Sequence, residues 1–436
     1  MAQEIYHRSN WGYASNEWGR VYVNAELSNE LYKRAANYEN SWGSDQTLDA
    51  INKKASIVLL PTGYSSSLIH NVKPSSAPFG DMTLIQGSLS TRIDSNGLVD
   101  GVFYSTPRID YSNGVGAILV EPSVTNQIRY SEDFSNALWL KTAVTLTSST
   151  GTNPRGESAT IYAIQGAPSQ GGLEAAMASS ATGNGVGASI WARKKSGVGT
   201  ADVLIGGGSL GNPTVATRTV GADWQRITFT STGYTGTSHF FVKPVGALAA
   251  DTIEIWGAQM EKTAAGGQNG FITSYIPTTS TVATRTADEY LNGGDVSLIN
   301  SQSGVLFVER QCFGTSTNEW ILLTATGENE TVSVGVYGNN NGSSSARVKT
   351  STSTLYKGFG GSKTDMDKLA VKWDGTSVKT FRNGALVQTG TLSGGFTANQ
   401  LTEVHLSTGQ GFNGRLKQLI VFKEALSDEE IIALTS

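Results

Sequence analysis

The stretch DKLAVKWDGTSVKTFRNGALVQTGTLSGG (residues 367–395), followed by FNGRLKQLIVFKEALSDEEIIALTS (residues 412–436), decides the fold of this chain. Apolar runs alternate with short turn signals along both stretches. Asp374-Gly375 and Asn383-Gly384 are dipeptides that tolerate positive φ at the tips of β-hairpins. Strands joined by tight turns predict antiparallel β-sheet in this part of the chain.

The last residues of the chain predict one short helix. Ser427 is placed to cap the helix, and Glu430 occupies the position where a capping box needs a carboxylate. Leu426 and Ile431 occupy the staple positions on either side. A sheet followed by a terminal helix that packs on it indicates a β-sandwich, and nothing in this region has the pattern of a catalytic motif.

Length and composition extend this prediction to the whole chain. At 436 residues the chain exceeds the size at which single cores stop growing, so two to four domains are expected. Glycine is abundant at 51 residues and charged residues make up only 16%, which suits turn-rich all-β domains. We therefore predict a mainly β protein of tandem antiparallel β-sandwiches of the jelly-roll type, with a small N-terminal segment that contains short helices.

Charge and cysteine content exclude several classes of function. The formal net charge is −4 and no basic stripe is present, so nucleic acid is not an expected partner. Cys312 is the single cysteine, so no disulfide forms within one chain, and its apolar neighbours indicate a buried thiol. No apolar run is long enough for a membrane span, and membrane insertion is not expected.

Turn signals and composition divide the chain into four parts. Residues 56–130 read as a connecting region of short strands, and residues 131–288 and 289–436 read as two β-sandwiches. Residues 1–55 differ, because NAELSNELYKRAANY (24–38) has apolar residues at helical spacing and a second short helix is predicted over 45–54. The segment contains the aromatic residues that we predict to attach the protein to a partner: Trp11, Trp18 and Trp42.

A resemblance to a known family enters at residues 90–147, which contain STRIDSNGLVDGV, PRIDY, ILVEP, TN and YSEDFSNALW in that order. This series resembles a module found repeatedly in tailed-phage structural proteins, although Ser123-Val124 stands where the family has Gln-Arg. Downstream, WQRITFT, IEIWGAQMEK and TSYIPTTSTVATRTAD resemble the end of the same module, a sandwich similar to carbohydrate-binding modules. The final region resembles a laminin-G or concanavalin A-like sandwich through WDGTSVKTFRNGALV and FNGRLKQLIVFKEALSDEEI.

The resemblance implies a bacteriophage virion protein, either a tail fibre or a head fibre. It implies that residues 1–55 attach to other virion proteins, that the sandwiches bind a host surface glycan, and that the fibre is a homotrimer. The chain starts with MAQEIYHRSNW, which has no signal-peptide pattern. We therefore expect synthesis in the host cytoplasm and release by lysis.

Candidate ligand-binding residues follow from the chemistry of sugar recognition. Aromatic faces stack on the C–H surfaces of pyranose rings, while amides and charged groups bind the hydroxyls. In the last domain, residues of these types are predicted near loop tips: Trp320, Tyr337, Asn339, Asn340, Asn341, Arg347 and Tyr356. For each aromatic residue the alternative is core packing, and for the asparagine run it is a bare hairpin tip.

No enzyme, cofactor or metal site is predicted. Glycoside hydrolysis needs two facing carboxylates, but Glu132-Asp133 would point to opposite faces of a strand and Glu328/Glu330 belong to a loop. The four histidines have no metal-ligand spacing. Calcium is left open, since related sandwiches often carry it on acidic loops, and the candidate ligands here are Asp365 and Asp367. Two alternatives to the fibre remain, a fibre-borne polysaccharide depolymerase and a ligand-free capsid or tail decoration protein.

Overall fold

The computed structural model describes residues 3–5, 21–23, 46–65, 67–74, 80–166, 171–179, 185–195, 199–209, 212–231, 238–246, 251–263, 271–313, 318–325, 331–406 and 412–436. The strands are, in chain order, β1 (Gln3–Ile5), β2 (Val21–Val23), β3 (Ile57–Ser65), β4 (Leu68–Lys73), β5 (Met82–Ile85), β6 (Ser90–Ile93), β7 (Val99–Val102), β8 (Ile109–Asp110), β9 (Ala117–Val120), β10 (Val124–Asn126), β11 (Trp139–Thr142), β12 (Val144–Thr152), β13 (Ser158–Gly166), β14 (Gly172–Ala176), β15 (Gly185–Lys194), β16 (Ala201–Ser209), β17 (Asn212–Val220), β18 (Gln225–Ser231), β19 (His239–Pro244), β20 (Ile253–Thr263), β21 (Ala283–Arg285), β22 (Glu289–Leu291), β23 (Ser303–Cys312), β24 (Glu319–Thr324), β25 (Ser333–Gly338), β26 (Ser343–Lys349), β27 (Thr354–Ser362), β28 (Asp367–Asp374), β29 (Ser377–Arg382), β30 (Ala385–Thr391), β31 (Glu403–His405) and β32 (Gly414–Phe422). The described helices are α1 (Gln46–Lys53) and α2 (Asp428–Thr435). The predicted fold class, mainly β with antiparallel sheets, is confirmed.

The chain divides into two compact units. Unit 1 contains residues 1–87, 103–122 and 287–436, and unit 2 contains residues 88–102 and 123–286. Residues 56–130, predicted as a connecting region, are therefore distributed over both units. The four-part division made from the sequence stays a prediction.

Unit 2 contains two five-stranded antiparallel sheets, in the orders β11-β14-β19-β16-β17 and β12-β13-β20-β15-β18. Its core includes Phe134 and Trp139, whose ring centroids lie 4.8 Å apart, and the Trp139 indole N–H donates to the carbonyl of Tyr130 at 3.0 Å. Asn126 is also fully buried, and its Nδ2 donates to the carbonyls of Ala258 and Ile276. These residues of the phage-like motif thus close the core of unit 2.

Unit 1 is built on a large sheet with the main order β22-β5-β4-β3-β32-β23-β28-β29-β30 and a five-stranded sheet with the order β27-β26-β25-β24-β31. Strand β23 is buried on both faces. Leu306 and Val308 belong to the core that also contains residues of the five-stranded sheet, whereas Val305 and Phe307 belong to a second cluster with residues of α1 and α2. The two helices therefore cover the face of the large sheet that points away from the sandwich core.

Local signals at the end of the chain are confirmed. Ser427 Oγ accepts from the amide of Glu430 at 3.1 Å, and the Glu430 carboxylate accepts from the amide of Ser427 at 2.8 Å. Leu426 and Ile431 are both buried in the cluster beneath the helices. The cap depends on interactions between residues only a few positions apart, so the capped helix could be predicted from the sequence alone.

The two hairpin signals have different outcomes. Asn383 and Gly384 both have positive φ, 46° and 80°, and connect β29 to β30 as predicted. At the other hairpin Asp374 still pairs with Ser377, so the loop is Gly375-Thr376, one residue later than the predicted dipeptide. Only Gly375, with φ 56°, needs the left-handed conformation there.

Residues of the PRIDY and ILVEP motifs meet in a buried ion cluster of unit 1. Arg108 Nη1 lies 2.6 Å from Glu121 Oε2, and its Nη2 binds Asp288. All three side chains are 1% exposed. Mutual pairing satisfies charges that would otherwise be costly to bury, so these motif residues have a structural role.

Pro61, which follows the apolar run of residues 57–60, does not end the strand that contains it. Strand β3 continues from Ile57 to Ser65, and its register against β4 shifts between Leu59 and Tyr64. Pro61 lies inside this irregularity, where its missing N–H removes no ladder hydrogen bond.

In the N-terminal part, the second predicted helix is confirmed as α1, whereas the helix predicted over 24–38 lies outside the described residues, as do Trp11, Trp18 and Trp42. Neither described helix has the length and apolarity that a membrane crossing requires.

Candidate functional site

The five-stranded sheet of unit 1 has one face toward the core and one face away from it. Its core-facing residues include Ile321, Val336 and Val348. The alternating residues lie on the opposite face, which we call the outer face. Cross-strand pairing places them in rows: one row is His405, Leu322, Gly335, Arg347 and Tyr356, and the next is Trp320, Tyr337, Ser345 and Gly358.

The structure brings together four of the predicted ligand-binding residues on this face. The rings of Trp320 and Tyr337 stack with centroids 4.4 Å apart and planes 16° apart. Tyr337 meets Tyr356 edge-on, with centroids 5.9 Å apart and planes 71° apart. The Arg347 guanidinium lies over the Trp320 ring, 4.0 Å from its centroid, and its Nη2 donates to Ser333 Oγ at 3.2 Å. All four lie within strands and not at loop tips, which corrects that part of the prediction.

The four side chains differ in solvent exposure, and only the exposed ones can contact a ligand. Trp320 is 6% exposed and Arg347 is 5% exposed, so neither presents a free face. Tyr356 is 53% exposed and Tyr337 is half-buried. Stacking and cation–π contacts hold the buried Trp320 and Arg347 in place. The accessible aromatic surface belongs to Tyr356, with the edge of Tyr337 beside it.

The phenol of Tyr337 stays protonated around neutral pH. Burial raises the pKa of Tyr337 above its usual value, and the nearby Tyr356 raises it further, while a hydrogen bond with Ser345 and the charge of Arg347 act in the opposite direction. A protonated phenol retains a hydroxyl that can donate a hydrogen bond.

The asparagine run forms the turn between β25 and β26. Asn339 Nδ2 donates to Ser343 Oγ at 2.7 Å and to Ser345 Oγ at 2.8 Å. Asn341 Oδ1 accepts from the backbone and hydroxyl of Ser343. Two of the three predicted amides therefore stabilise the hairpin, while Asn340 is exposed at its tip.

A buried ion pair that the sequence did not indicate supports the first strand of the site. Lys363 Nζ lies 2.7 Å from Glu319 Oε2, and Glu319 immediately precedes Trp320 in the chain. The backbone N–H of Lys363 also donates to the carbonyl of Gly342 at 2.8 Å, in the asparagine turn. The partners are separated by 44 residues, so no local pattern announces the pair.

A second pair on the outer face was also missed. His405 Nε2 lies 2.8 Å from Glu403 Oε1, and both side chains are buried on β31 at the edge of the sheet. The histidines have no metal-ligand spacing, so the sequence did not indicate His405 as a site residue. The i, i+2 spacing of Glu403 and His405 on one strand is the signal that would have found them on one face.

Glu132 and Asp133, the adjacent acids considered for hydrolysis, are bound by different tyrosines. Glu132 Oε1 accepts from the Tyr275 hydroxyl at 3.0 Å, and Asp133 Oδ1 accepts from the Tyr162 hydroxyl at 2.8 Å. Glu328 and Glu330 lie outside the described residues.

Asp367, considered for calcium, instead accepts from Arg382 at 3.0 Å and from Asn383 at 2.9 Å. Among the described residues, no group of three or more His, Cys, Asp or Glu side chains could hold a metal ion.

Three solved structures are each similar to about a third of this chain. The CBM40 of Ruminococcus gnavus IT-sialidase bound to alpha2,3 sialyllactose is 20% identical, covers 31% of this chain and 83% of its own, and has a TM-score of 0.27. The heptameric SAP-like pentraxin of Limulus polyphemus is 14% identical, with 32% and 71% covered and a TM-score of 0.28. The CBM22-1 xylan-binding domain of Paenibacillus barcinonensis Xyn10C is 12% identical, with 31% and 95% covered and a TM-score of 0.25.

A search of curated proteins found no match. Residues 299–432 match the family model described as the concanavalin A-like lectin/glucanases superfamily. This range includes all strands of the outer face, β24 to β27 and β31. The predicted concanavalin A-like sandwich at the C-terminal end of the chain is thereby confirmed.

Proposed function

We propose that the protein binds a glycan through its concanavalin A-like domain, with a sugar ring stacked on Tyr356. One observation carries this proposal: an aromatic ring that is 53% exposed stands on the outer face of a sheet, edge-on to Tyr337, which is stacked on the buried Trp320. A solvent-exposed tyrosine that is held by its neighbours loses little conformational entropy when a ligand stacks on it.

The polar groups near Tyr356 suit hydroxyl recognition. The Tyr337 phenol is half-buried beside it, and Gly358, the next residue of β27 on the same face, leaves space above the sheet. A Cβ at Gly358 would approach only Gln388 Nε2, at 3.5 Å, and the amide of Gly360. The backbone here therefore allows a ring to approach closely.

The biological setting that we propose is a bacteriophage virion, where the chain acts as a tail fibre or head fibre and recognises the host surface. The support is the resemblance of residues 90–147 to tailed-phage structural proteins. In this setting residues 1–55, with Trp11, Trp18 and Trp42, attach the chain to other virion proteins, and the fibre is a homotrimer.

Binding without hydrolysis is the activity that we favour. Glycoside hydrolysis needs two carboxyl groups about 5–10 Å apart across the scissile bond. The described acids at the candidate site are engaged differently, since Glu319 pairs with the buried Lys363 and Glu403 pairs with His405. Neither acid stands beside Tyr356 in the rows of the outer face.

A glycan array probed with the full chain tests the binding proposal. We expect selective binding that the substitution Tyr356→Ala weakens at least tenfold. The matched control is Tyr104→Ala, because Tyr104 is a 66% exposed tyrosine that belongs to none of the strands of the five-stranded sheet in unit 1. An equal loss of glycan binding in both variants, or glycan binding that does not depend on Tyr356, would refute the site. New reducing ends after incubation with bound polysaccharide would favour the depolymerase instead.

Particle composition tests the virion setting separately. We expect the full chain to be recovered with purified phage particles, and a chain that lacks residues 1–55 to be absent from them while it still binds glycan. Incorporation of the truncated chain would contradict the assigned attachment segment.

A further inference from the structure

Positive charge is concentrated on the strands around Tyr356. Strands β25, β26 and β27 contain Arg347, Lys349 and Lys357 and no aspartate or glutamate. The whole chain, in contrast, has a formal net charge of −4. Strand β30, whose Gln388 approaches Gly358 on β27, carries no charged residue. The local excess of cations is therefore not an average property of the protein.

Lys349 is the cation best placed to meet a ligand. It lies directly opposite Thr354 on β27, two residues from Arg347, and so on the same face as Tyr356. Diagonal neighbours on one face of an antiparallel pair are within reach of a long side chain. Lys349 is partly exposed, and within the described part of the chain its ammonium has no hydrogen-bond or ion-pair partner.

The other charges on the outer face do not neutralise Lys349. Arg347 is held between the Trp320 ring and Ser333, so its charge stays beneath the aromatic surface. Glu403 stands on β31, at the opposite edge of the five-stranded sheet from β27, and is paired with His405. Among the described residues, the end of the outer face that carries Tyr356 therefore has a net positive charge.

We infer that the ligand of this site is an acidic glycan, in which an anionic group on or next to the sugar stacked on Tyr356 binds Lys349. This inference rests on the proposed function and specifies its substrate class. The anionic group is a carboxylate, as in a uronic acid, or a sulfate ester. Either group accepts charge-assisted hydrogen bonds from an ammonium, which are stronger than those of neutral hydroxyls.

Lys357 supplies a matched control on the same strand as Tyr356. It is also partly exposed, but it has the opposite parity on β27, the parity of Leu355 and Phe359, which face the core. A Cβ at Gly390 on β30 would contact the Lys357 side chain, so Lys357 crosses the edge of the sandwich toward β30. The variants Lys349→Gln and Lys357→Gln remove one charge each from the same domain on different faces.

The test is a titration of the full chain and its variants with polygalacturonate, dextran sulfate and neutral dextran, each at low and moderate salt, and with poly-glutamate as a polyanion that contains no sugar. We expect one of the two acidic polymers to bind, and its identity to distinguish carboxylate from sulfate. We expect Lys349→Gln to weaken this binding about 3–10-fold, Lys357→Gln less than twofold, and added salt to reduce the difference. Tyr356→Ala is expected to abolish the binding.

Several outcomes overturn the inference. Neutral dextran that binds as tightly as the acidic polymers, with dependence on Tyr356 but not on Lys349, removes the acidic class and leaves glycan binding standing. Equal losses in Lys349→Gln and Lys357→Gln, or equal binding of poly-glutamate, indicate unspecific attraction of a polyanion. If no polymer binds in a Tyr356-dependent manner but the glycan array shows Tyr356-dependent binding of neutral glycans only, the inference falls and the proposed function stands. The proposed function falls only if the array also shows no Tyr356-dependent binding.

Discussion

Lys363 Nζ lies 2.7 Å from Glu319 Oε2 in unit 1, and neither side chain has exposed surface. The pair joins the residue that follows β27 to the first residue of β24, immediately before Trp320. Two charges that leave water lose several kcal/mol of hydration each, and only a close partner compensates for this loss. The contact therefore fixes where β24 begins relative to the end of β27, and with it the edge of the outer face.

Removing one partner of this pair is expected to destabilise unit 1 strongly. Lys363→Met leaves the Glu319 carboxylate buried without its cation, and we expect the free energy of unfolding to fall by about 3–5 kcal/mol. Urea unfolding followed by tryptophan fluorescence measures the change. The double variant Glu319→Leu/Lys363→Met is expected to be more stable than Lys363→Met alone, because the buried Glu319 carboxylate is removed together with its cation. A double variant that is less stable than the single one would contradict this account.

Gly335 lies in the middle of the outer face, and we expect it to tolerate no side chain. A Cβ there would overlap Leu322 Cδ2 and lie 2.9 Å from the carbonyl oxygen of Ile321, and Leu322 is fully buried. Gly335→Ala is expected to cost about 1–3 kcal/mol of stability through overpacking. Gly358→Ala on the same face is the control, since its Cβ would make only ordinary van der Waals contact, at 3.5 Å from Gln388 Nε2, and we expect a change below about 0.5 kcal/mol. Thermal or urea unfolding compares the two, and equal costs would count against the packing argument.

Cys312 is expected to be unreactive in the folded protein. Burial raises the pKa of its thiol to about 12, and the neighbouring Glu319 contributes in the same direction against Arg310 and Lys363. At pH 8 only about one thiol in ten thousand is then ionised, and the thiolate is the reactive form. Ellman's reagent should detect less than one tenth of the thiol within minutes without denaturant, and all of it in guanidinium. The variant Lys195→Cys, at an exposed position, serves as a positive control. Rapid reaction of native Cys312 would contradict its burial.

The cap of α2 is expected to contribute measurably to stability. Ser427→Ala removes the hydroxyl that accepts from the amide of Glu430, and we expect a loss of about 1 kcal/mol. Urea unfolding again provides the measurement. Ser297→Ala is a suitable control in unit 1, because only the backbone of Ser297 takes part in its described hydrogen bonds. A loss in the control as large as that in Ser427→Ala would argue against a specific role for the cap.

Glu430 gives this helix a pH dependence. A hydrogen bond from the Lys54 ammonium lowers the pKa of Glu430 below 4.5, and the amide of Ser427 acts in the same direction. Because the folded-state pKa is depressed, the stabilisation is present above the unfolded pKa near 4.5 and is lost as the pH falls through the folded value. We expect the stability advantage of the native chain over Glu430→Gln to shrink between pH 6 and pH 3. Glu429→Gln removes a charge from the same turn without the Lys54 contact, and an equal pH effect there would contradict the assignment.

Much of the candidate site was accessible from residue types, but its arrangement was not. The chemistry of aromatic and arginine side chains was enough to predict Trp320, Tyr337, Arg347 and Tyr356 from the sequence. The sequence could not show that Trp320 is buried under Arg347 while Tyr356 is open, because exposure depends on which strands lie at the edge of the sheet. It also assigned amides to ligand binding that the hairpin turn uses for itself.

The Asn383-Gly384 turn and the cap of helix α2 were determined by the sequence itself, because each depends on groups only a few residues apart. The tertiary structure alone decided the pairing of Lys363 with Glu319, the ion cluster of Arg108, Glu121 and Asp288, and the row that ends at Tyr356. These contacts join residues that are distant along the chain. Their formation depends on strand register and on the burial of charge within a completed sandwich, and local backbone preferences determine neither.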